Sequence, residues 1–257
     1  MRLSTVASFW RAALLLLTLS IAALLSLATA KADKNVPGVF GIDNRKIVES
    51  TDPPFGSIGR INVAGFKRKS HCTGTLIAPD IVVTAAHCVI NTRNKAVHAT
   101  RSVHFVSGFR RGEYIGASTA RRIILPVDYS FALEKGNQAL LQDIAVILLE
   151  KAIDAASVAR SEGIRQTGAA LSHVSYPRDR PYLPVIDDQC RLLGERSGLW
   201  FTNCDTNFGG SGGPLMVRQG DNFEIAAVMS AIVPGRFSIA VPIRHFTPLL
   251  KRAAASD

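Results

Sequence analysis

The sequence predicts a mostly β fold, either a barrel or a sandwich, that follows an N-terminal export segment. From Ile61 onward, short apolar runs of strand length alternate with turns rich in Pro, Gly and Asp. Strands of this length at this spacing are typical of all-β barrels and sandwiches. Stretches with helical periodicity are scarce, and no internal repeat or low-complexity tract follows the export segment. We therefore expect one large β domain or two small ones.

The predicted elements follow one another closely along the chain. Each predicted strand is an apolar run bounded by turn residues. Residues 152–164 are expected to form a helix or the connection between two halves, and residues 246–254 a short C-terminal helix. The strands are residues 75–77 and 81–84 on either side of the turn at 78–80, residues 144–149, and residues 225–233 and 238–243 on either side of the turn at 234–235.

Residues 1–30 have the layout of a secretory signal peptide. Arg2 and Arg11 flank a polar start, residues 12–27 are almost wholly apolar, and residues 28–30 supply the small side chains that a signal peptidase reads. The alternative is an uncleaved membrane anchor, because the apolar run approaches the length that spans a bilayer. We expect a secreted or periplasmic bacterial protein that touches the membrane only through this segment, if the segment stays uncleaved.

The mature chain is basic without resembling a nucleic-acid-binding protein. Removal of residues 1–30 leaves 227 residues, and the formal net charge falls from +10 to +8 because two Arg and no acid are lost. The basic residues lie in short, scattered clusters without interleaved aromatic side chains, so no nucleic-acid partner is expected. A soluble basic surface, or attraction to anionic surfaces or acidic substrates, accounts for the charge. Residues 31–58, rich in Pro, Gly, Asp and Lys, are expected to form an irregular lead-in.

Four cysteines predict two disulfides. An even number of cysteines in an exported chain favours disulfides over metal or redox chemistry. Closeness in the sequence favours Cys72–Cys88 and Cys190–Cys204, and two other pairings remain open. Each of these loops would stabilise the fold by about 3 kcal/mol. The chain has no Cys-x-x-Cys or His-x-x-x-His spacing, so neither a zinc site nor another cofactor is expected.

Three segments carry residues suited to nucleophilic catalysis, and the first two hold a base and an acid. His87 lies in Thr-Ala-Ala-His-Cys, where a neighbouring disulfide would hold an imidazole that titrates near neutrality. Asp143 leads into an apolar strand, where a carboxylate can orient an imidazole, although a cap or turn role fits the same pattern. The remaining histidines are expected to be structural: His71, His98, His104, His173 and His245.

The third segment, Asn-Phe-Gly-Gly-Ser-Gly-Gly-Pro at residues 207–214, is the most specific. Glycines on both sides let the backbone turn sharply and expose the Ser211 hydroxyl. The amides of Gly209 and Ser211 are then free to stabilise an oxyanion, at roughly 3–4 kcal/mol per donor. A flexible linker fits poorly because the run is short and enters an apolar strand. A phosphate-binding loop fits poorly because no Lys-Ser or Lys-Thr follows.

Together the three segments resemble the trypsin-like serine proteases over nearly all of the mature chain. The resemblance implies an all-β fold of two packed six-stranded antiparallel β-barrels with a short C-terminal helix. The first barrel would span residues 59–153 and the second residues 154–257. The same resemblance implies a catalytic triad of His87, Asp143 and Ser211.

Further segments resemble the bacterial glutamyl-endopeptidase-like branch of that family, namely residues 39–45, 175–179 and 204–206. Members that cut after Glu carry a His on the strand lining the primary pocket, whereas residues 226–233 contain none, which argues against Glu specificity. Gly210 replaces the Asp with which animal trypsins bind a newly cut N-terminus. Activation by that ion pair is therefore not expected.

The pocket assignment rests on the same resemblance. Asp205 lies six residues before Ser211, the offset at which trypsins place the acid that binds a substrate Lys or Arg. The alternative is that Asp205 points away and caps the loop after Cys204. Thr206 and Ser230 are assigned to substrate binding, and Ile232, where trypsins have Gly, would narrow the pocket.

The sequence thus predicts an exported serine endopeptidase that acts on proteins or peptides, with cleavage after Lys or Arg as one hypothesis. The alternative is a non-catalytic double-barrel binding module related to these enzymes. The oligomeric state does not follow from the sequence.

Overall fold

The apolar runs of the sequence form the strands of two barrels. The computed structural model describes residues 36–63, 70–127, 129, 136–161, 163 and 165–255, so the predicted signal peptide lies outside the described residues. None of the helices in these ranges is long and apolar enough to cross a bilayer. In chain order the strands are β1 (Lys46–Ile47), β2 (Ile58–Val63), β3 (Ser70–Ala78), β4 (Ile81–Thr84), β5 (Val103–Ser107), β6 (Gly116–Ile124), β7 (Ala145–Leu149), β8 (Ala159–Arg160), β9 (Ala170–Ser175), β10 (Val185–Arg196), β11 (Leu199–Thr202), β12 (Pro214–Gln219), β13 (Asn222–Val233) and β14 (Phe237–Pro242).

Each barrel contains six antiparallel strands. The first closes in the order β2-β3-β4-β7-β6-β5. The second closes as β9-β10-β11-β14-β13-β12, because β9 pairs with both β10 and β12. The short strand β1 extends the second sheet at β10, and β8 pairs in parallel with β13. This architecture confirms the double barrel that the family resemblance implied.

Strand β7 shows why an unbroken apolar run was readable as a strand. All five of its residues are buried. Alternate side chains, Ala145, Ile147 and Leu149, pack in the core of the first barrel. Val146 and Leu148 point the other way into an apolar cluster that includes residues of both barrels. A strand buried on both faces needs no alternation of polar and apolar residues. Ile144, the residue just before the strand, packs in the same cluster between the two barrels.

Helical structure is short and confined to turns and the C-terminus. The α-helices are α1 (Asn137–Leu141) and α2 (Thr247–Ala254), and α2 continues a 3-10 turn at Ile243–Phe246. Leu249 and Ala253 of α2 pack into the cluster between the barrels, so the predicted C-terminal helix is confirmed. The described part of residues 152–164 contains β8 and no helix, which makes this stretch the connection between the barrels.

Both predicted disulfides form. Cys72–Cys88 joins β3 to the 3-10 turn Ala86–Cys88 that carries His87, with the two Cα atoms 5.9 Å apart. Cys190–Cys204 joins β10 to the loop that leads to Asp205, with a Cα separation of 4.6 Å. The two other pairings are thereby excluded.

The lead-in is more ordered than its composition predicts. Besides β1, it forms an antiparallel bridge between Gly38 and Thr206, in which the Thr206 amide donates to the Gly38 carbonyl at 2.8 Å. A glycine is required at position 38, because a Cβ there would lie 2.7 Å from the Thr206 carbonyl oxygen. The lead-in therefore packs directly against the loop that precedes Ser211.

Candidate active site

His87 and Asp143 form a closely coupled pair between β4 and β7. The His87 Nδ1–H donates to Asp143 Oδ2 at 2.8 Å, and Oδ1 lies 3.1 Å from the same nitrogen. The His87 backbone amide also donates to Asp143 Oδ1 at 2.9 Å. These bonds hold the proton of a neutral ring on Nδ1 and leave Nε2 as the basic atom.

The Asp143 carboxylate is buried and held by a third residue. The Ser230 hydroxyl on β13 donates to Asp143 Oδ2 at 2.5 Å. The Asp143 backbone amide donates to the Leu140 carbonyl at the end of α1. Helix α1 thus positions the Asp143 backbone, Ser230 of the second barrel holds the carboxylate, and the imidazole takes its orientation from the carboxylate.

The electrostatics of this pair favour a charged imidazole. Burial lowers the pKa of His87, but the charge of Asp143 and its hydrogen bond outweigh burial, so the pKa is raised above the ordinary value. Burial acts to raise the pKa of Asp143, yet His87 and the Ser230 hydroxyl bring it below its usual value. An imidazolium formed during a proton transfer would therefore be stabilised where it forms.

The loop around Ser211 leaves two backbone amides unoccupied. The Phe208 carbonyl accepts from the Arg178 amide at 2.6 Å, and the Gly210 carbonyl accepts from the Gly213 amide at 3.0 Å. Because N–H and C=O point to opposite sides of a trans peptide, the N–H groups of Gly209 and Ser211 point away from these anchors. Within the described residues neither N–H has a hydrogen-bond acceptor. Two such donors are what a developing oxyanion requires.

Gly209 must be a glycine for this loop to form. Its φ is +93°, and a Cβ would lie 2.6 Å from His71 Nε2 and 2.7 Å from the Tyr176 carbonyl oxygen. Its carbonyl accepts from the Thr73 hydroxyl at 2.9 Å, so strand β3 also holds the loop in place. The glycines predicted to permit a sharp turn are needed for close packing as well.

Ser211 and His87 open onto one cavity, which we call the central cavity. Its volume is about 230 Å³. Cys88, the residue after His87, also lies close to the serine, with its Sγ 3.7 Å from the Ser211 carbonyl oxygen. The Ser211 and His87 side chains make no direct hydrogen bond in the described structure. Catalytic hydrogen bonds in enzymes are often long in the absence of substrate and shorten when substrate binds. The lining residues are His87, Thr206, Asn207, Phe208, Ser211, Met229, Ser230, Ala231 and Ile232.

Asp205 does not line the central cavity. Its side chain is buried, and its Oδ1 accepts a hydrogen bond from the Phe40 amide of the lead-in at 2.8 Å. The Asp205 amide donates to Asp187 Oδ2 at 2.7 Å. Of the two alternatives left by the sequence, this geometry matches the one in which Asp205 points away. No described acidic side chain lines the cavity to bind a Lys or Arg.

The sequence analysis missed the roles of three residues at this site. Ser230 was assigned to substrate binding. It lines the cavity, but its hydroxyl donates a hydrogen bond to Asp143. His173 was expected to be structural, yet its Nε2 lies 3.1 Å from the Thr206 hydroxyl in the cavity wall. Arg45 of the lead-in binds Asp179, whose Oδ1 accepts from Asn207 Nδ2 in the same wall. Each link joins residues far apart in the chain, so no local pattern marks it.

Potential metal ligands cluster once in the described residues, at Cys72, His87 and Cys88. Both cysteine sulfurs are in the disulfide. They cannot become thiolate ligands, so the cluster offers only one imidazole.

Comparison with known proteins decides the family. The sequence model of the trypsin family matches residues 57–250. The chain belongs to the trypsin family. A segment of 111 residues, 43% of this chain, is 32% identical to chymotrypsin-C of Bos taurus and spans 36% of that protein's length.

Solved structures of proteases share the trypsin-family fold of this chain. A Glu endopeptidase in complex with MPD superposes with a TM-score of 0.72 at 24% identity, over 85% of this chain and all of that one. Protease Anisep from Arthrobacter nicotinovorans gives a TM-score of 0.60 at 16% identity, over 77% and 93% of the two chains. Protease AL20 from an extremophilic microorganism gives 0.63 at 16% identity, over 79% and 98%.

The structure explains why this trypsin-family member has Gly210 before the serine. A Cβ at that position would lie 2.0 Å from Thr206 Oγ1 and 3.0 Å from the Asn207 carbonyl oxygen. An Asp side chain therefore has no room unless the cavity wall moves. In place of an Asp at position 210, residues of the lead-in contact this region. Gly38 binds Thr206, Phe40 binds Asp205, and Arg45 binds Asp179.

We expect peptidase activity to fall on the acid side with a midpoint above the ordinary histidine value of about 6.5. His87 can act as a base only when it is neutral, and Asp143 raises its pKa. Protonation therefore begins at a higher pH than for a free imidazole. The value of kcat/KM measured from about pH 5 to about pH 9 checks this. A midpoint clearly below 6.5 would contradict the assignment of His87 as base.

Proposed function

We propose that this chain is an exported serine endopeptidase that cleaves peptide bonds through an acyl-enzyme formed on Ser211. The observation that carries the proposal is the convergence, at one cavity, of the His87–Asp143 pair, the Ser211 side chain and two unoccupied backbone amides. Membership of the trypsin family supports a peptide-hydrolysing function. Export rests on the signal-like layout of residues 1–30.

In the proposed first stage, His87 Nε2 takes the proton of the Ser211 hydroxyl as Oγ attacks the scissile carbonyl carbon. The carbonyl oxygen becomes an oxyanion that accepts from the Gly209 and Ser211 amides. Asp143 stabilises the imidazolium and keeps it oriented. The C–N bond then breaks, His87 gives its proton to the leaving amine, and the acyl group stays on Ser211.

In the second stage, water replaces the amine. His87 takes a proton from the water as its oxygen attacks the acyl carbon, and the same two amides hold the second oxyanion. The bond to Ser211 Oγ breaks, His87 returns the proton to Oγ, and the carboxylic acid product leaves. Every proton in this cycle passes through His87 Nε2, so no cofactor is needed.

Labelling with a fluorophosphonate probe tests the proposal. Residues 31–257 should react covalently at Ser211, as mapped by mass spectrometry, because an activated serine attacks phosphorus readily. Ser211→Ala should abolish labelling, and Ser157→Ala, at an exposed serine that lines a different cavity, should leave it unchanged. A folded protein that does not label would overturn the proposal and favour the non-catalytic binding module.

Export is tested separately by sequencing the N-terminus of the protein recovered from outside the cytoplasm. Cleavage after Ala30 leaves a chain that begins at Lys31. An intact residue 1 on membrane-bound protein would instead establish the uncleaved anchor.

A further inference from the structure

The walls of the central cavity carry no charge apart from the catalytic imidazole. Met229, Ala231, Ile232 and Phe208 supply apolar surface, and no Lys, Arg, Asp or Glu of the described chain lines the cavity. Its polar wall residues, other than the proposed catalytic ones, are Thr206, Asn207 and Ser230. What those three side chains can offer a substrate decides which substrate residue fits.

Two of these polar side chains are occupied by the protein itself. The Ser230 hydroxyl donates its hydrogen to Asp143. The Asn207 carboxamide is bonded at both ends, since its Nδ2 donates to Asp179 Oδ1 at 2.8 Å and its Oδ1 accepts from the Phe208 amide at 2.8 Å. The Ser230 hydrogen is therefore committed to Asp143, and the Asn207 carboxamide is held in place by the protein through both its nitrogen and its oxygen.

The third, Thr206, is occupied by the buried His173. His173 Nδ1 lies 3.1 Å from the Pro214 carbonyl oxygen, and Nε2 lies 3.1 Å from Thr206 Oγ1. A carbonyl oxygen only accepts, so Nδ1 carries the proton of the neutral ring and Nε2 presents a lone pair. Burial lowers the pKa of His173 to about 4, so the ring is neutral at neutral pH. The Thr206 hydroxyl must therefore donate its hydrogen to His173.

We propose that His173, by holding the Thr206 hydroxyl hydrogen, makes the central cavity selective for an uncharged apolar side chain on the substrate residue that precedes the scissile bond. The inference rests on the proposed function, because it takes the cavity beside Ser211 as the place where that side chain binds. His173 is then a positioning residue, acting on the substrate through Thr206.

The same geometry disfavours charged side chains. A substrate carboxylate would be buried among Met229, Ile232 and Phe208 without a hydroxyl hydrogen to accept, which is costly for an ionised group. A Lys or Arg would meet no carboxylate, since Asp205 is bonded to Phe40 and does not line the cavity. An apolar side chain gives up no hydrogen bonds to water on entering such a site and gains from leaving water.

The first test compares peptides that differ only in the residue before the scissile bond. We expect kcat/KM for Leu, Met or Phe to exceed that for Glu, Lys or Arg by at least about 10²-fold at neutral pH. Preference for Lys or Arg would overturn the inference and would indicate that Asp205 faces the cavity. Preference for Glu would overturn it by showing that the wall does supply donors. Loss of the proposed function itself looks different, because the protein would then neither cleave nor label with fluorophosphonate.

The second test isolates His173. In His173→Leu the Thr206 hydroxyl loses its acceptor and is free to donate toward the cavity. The ratio of kcat/KM for Glu to that for Leu should then rise by about 10-fold. Adding Thr206→Val to His173→Leu should cancel the rise, because the hydroxyl is gone while the shape is kept. A purely structural role for His173 would lower both activities and leave the ratio unchanged, and that result would sink the proposal.

A third measurement needs no folded His173 variant. Nitrogen-15 NMR of the Ser211→Ala protein reports which ring nitrogen of His173 is protonated. The expected result is the neutral tautomer with its proton on Nδ1. A proton on Nε2 would make His173 the donor to Thr206 and would overturn the inference.

Discussion

Asp143→Asn should lower kcat by about 10⁴-fold while the protein still folds, as the same change does in the trypsin triad. The amide can no longer accept from both the His87 amide and the His87 ring as the carboxylate does at 2.9 and 2.8 Å. It also turns an N–H toward a ring nitrogen, which favours the wrong tautomer. The carboxylate charge that stabilises the imidazolium is lost as well.

Steady-state kinetics with one peptide substrate and thermal unfolding of the same samples check this expectation. Asp154→Asn is the matched control, because Asp154 is exposed on the connection between the barrels and should change neither quantity. In the Asp143→Asn variant, the fall of kcat/KM on the acid side should also move to lower pH, since Asp143 is what raises the His87 pKa. A kcat within a few fold of the wild type would show that Asp143 is not part of the machinery.

Arg45→Met should destabilise the protein by about 3 kcal/mol, at the low end of what breaking a buried ion pair costs. The Arg45 side chain is fully buried and binds Asp43 and Asp179, whose side chains are about a quarter to a third exposed. Removing the guanidinium leaves Arg180 as the neighbouring cation, 2.7 Å from Asp43 and 4.0 Å from Asp179, and empties the buried position between the two carboxylates. The partial exposure of these acids keeps the cost toward the lower limit.

The neighbouring residue provides the control for this substitution. Lys46 pairs with Asp188 across an exposed surface, so Lys46→Met should cost no more than about 1 kcal/mol. Urea unfolding of both variants measures the difference, and equal effects would contradict the role given to Arg45. Because Asp179 holds Asn207 in the cavity wall, Arg45→Met should also lower kcat/KM in protein that is still folded.

The stability difference should depend on pH in a defined direction. Burial acts to raise the pKa of Asp43 and of Asp179, but hydrogen bonds and charge, mainly from Arg45, bring both below the usual value. A lowered folded-state pKa stabilises the fold above the unfolded-state pKa, and this contribution disappears as the pH falls through the folded-state pKa. The wild type and Arg45→Met should therefore converge in strong acid.

Features encoded by near neighbours in the chain were predictable. The disulfides join cysteines 16 and 14 residues apart, and the unbroken apolar run of β7 is buried on both faces. The glycines around Ser211 indicated a tight loop with free amides, and that loop is present. These features depend on short loops, periodicity and the conformational range of glycine, all of which can be read from a local stretch of sequence.

The direction of individual buried side chains was decided only by the tertiary structure. The sequence offered Asp205 two orientations, and the one observed depends on an amide 165 residues away in the lead-in. The roles of Ser230 and His173 likewise depend on partners 87 and 33 residues distant. A buried polar group must find a hydrogen-bond partner, but which partner it meets is set by how distant strands pack against each other. The sequence by itself therefore determined the family, the barrels and the candidate triad, whereas packing between distant segments determined which polar groups face the cavity.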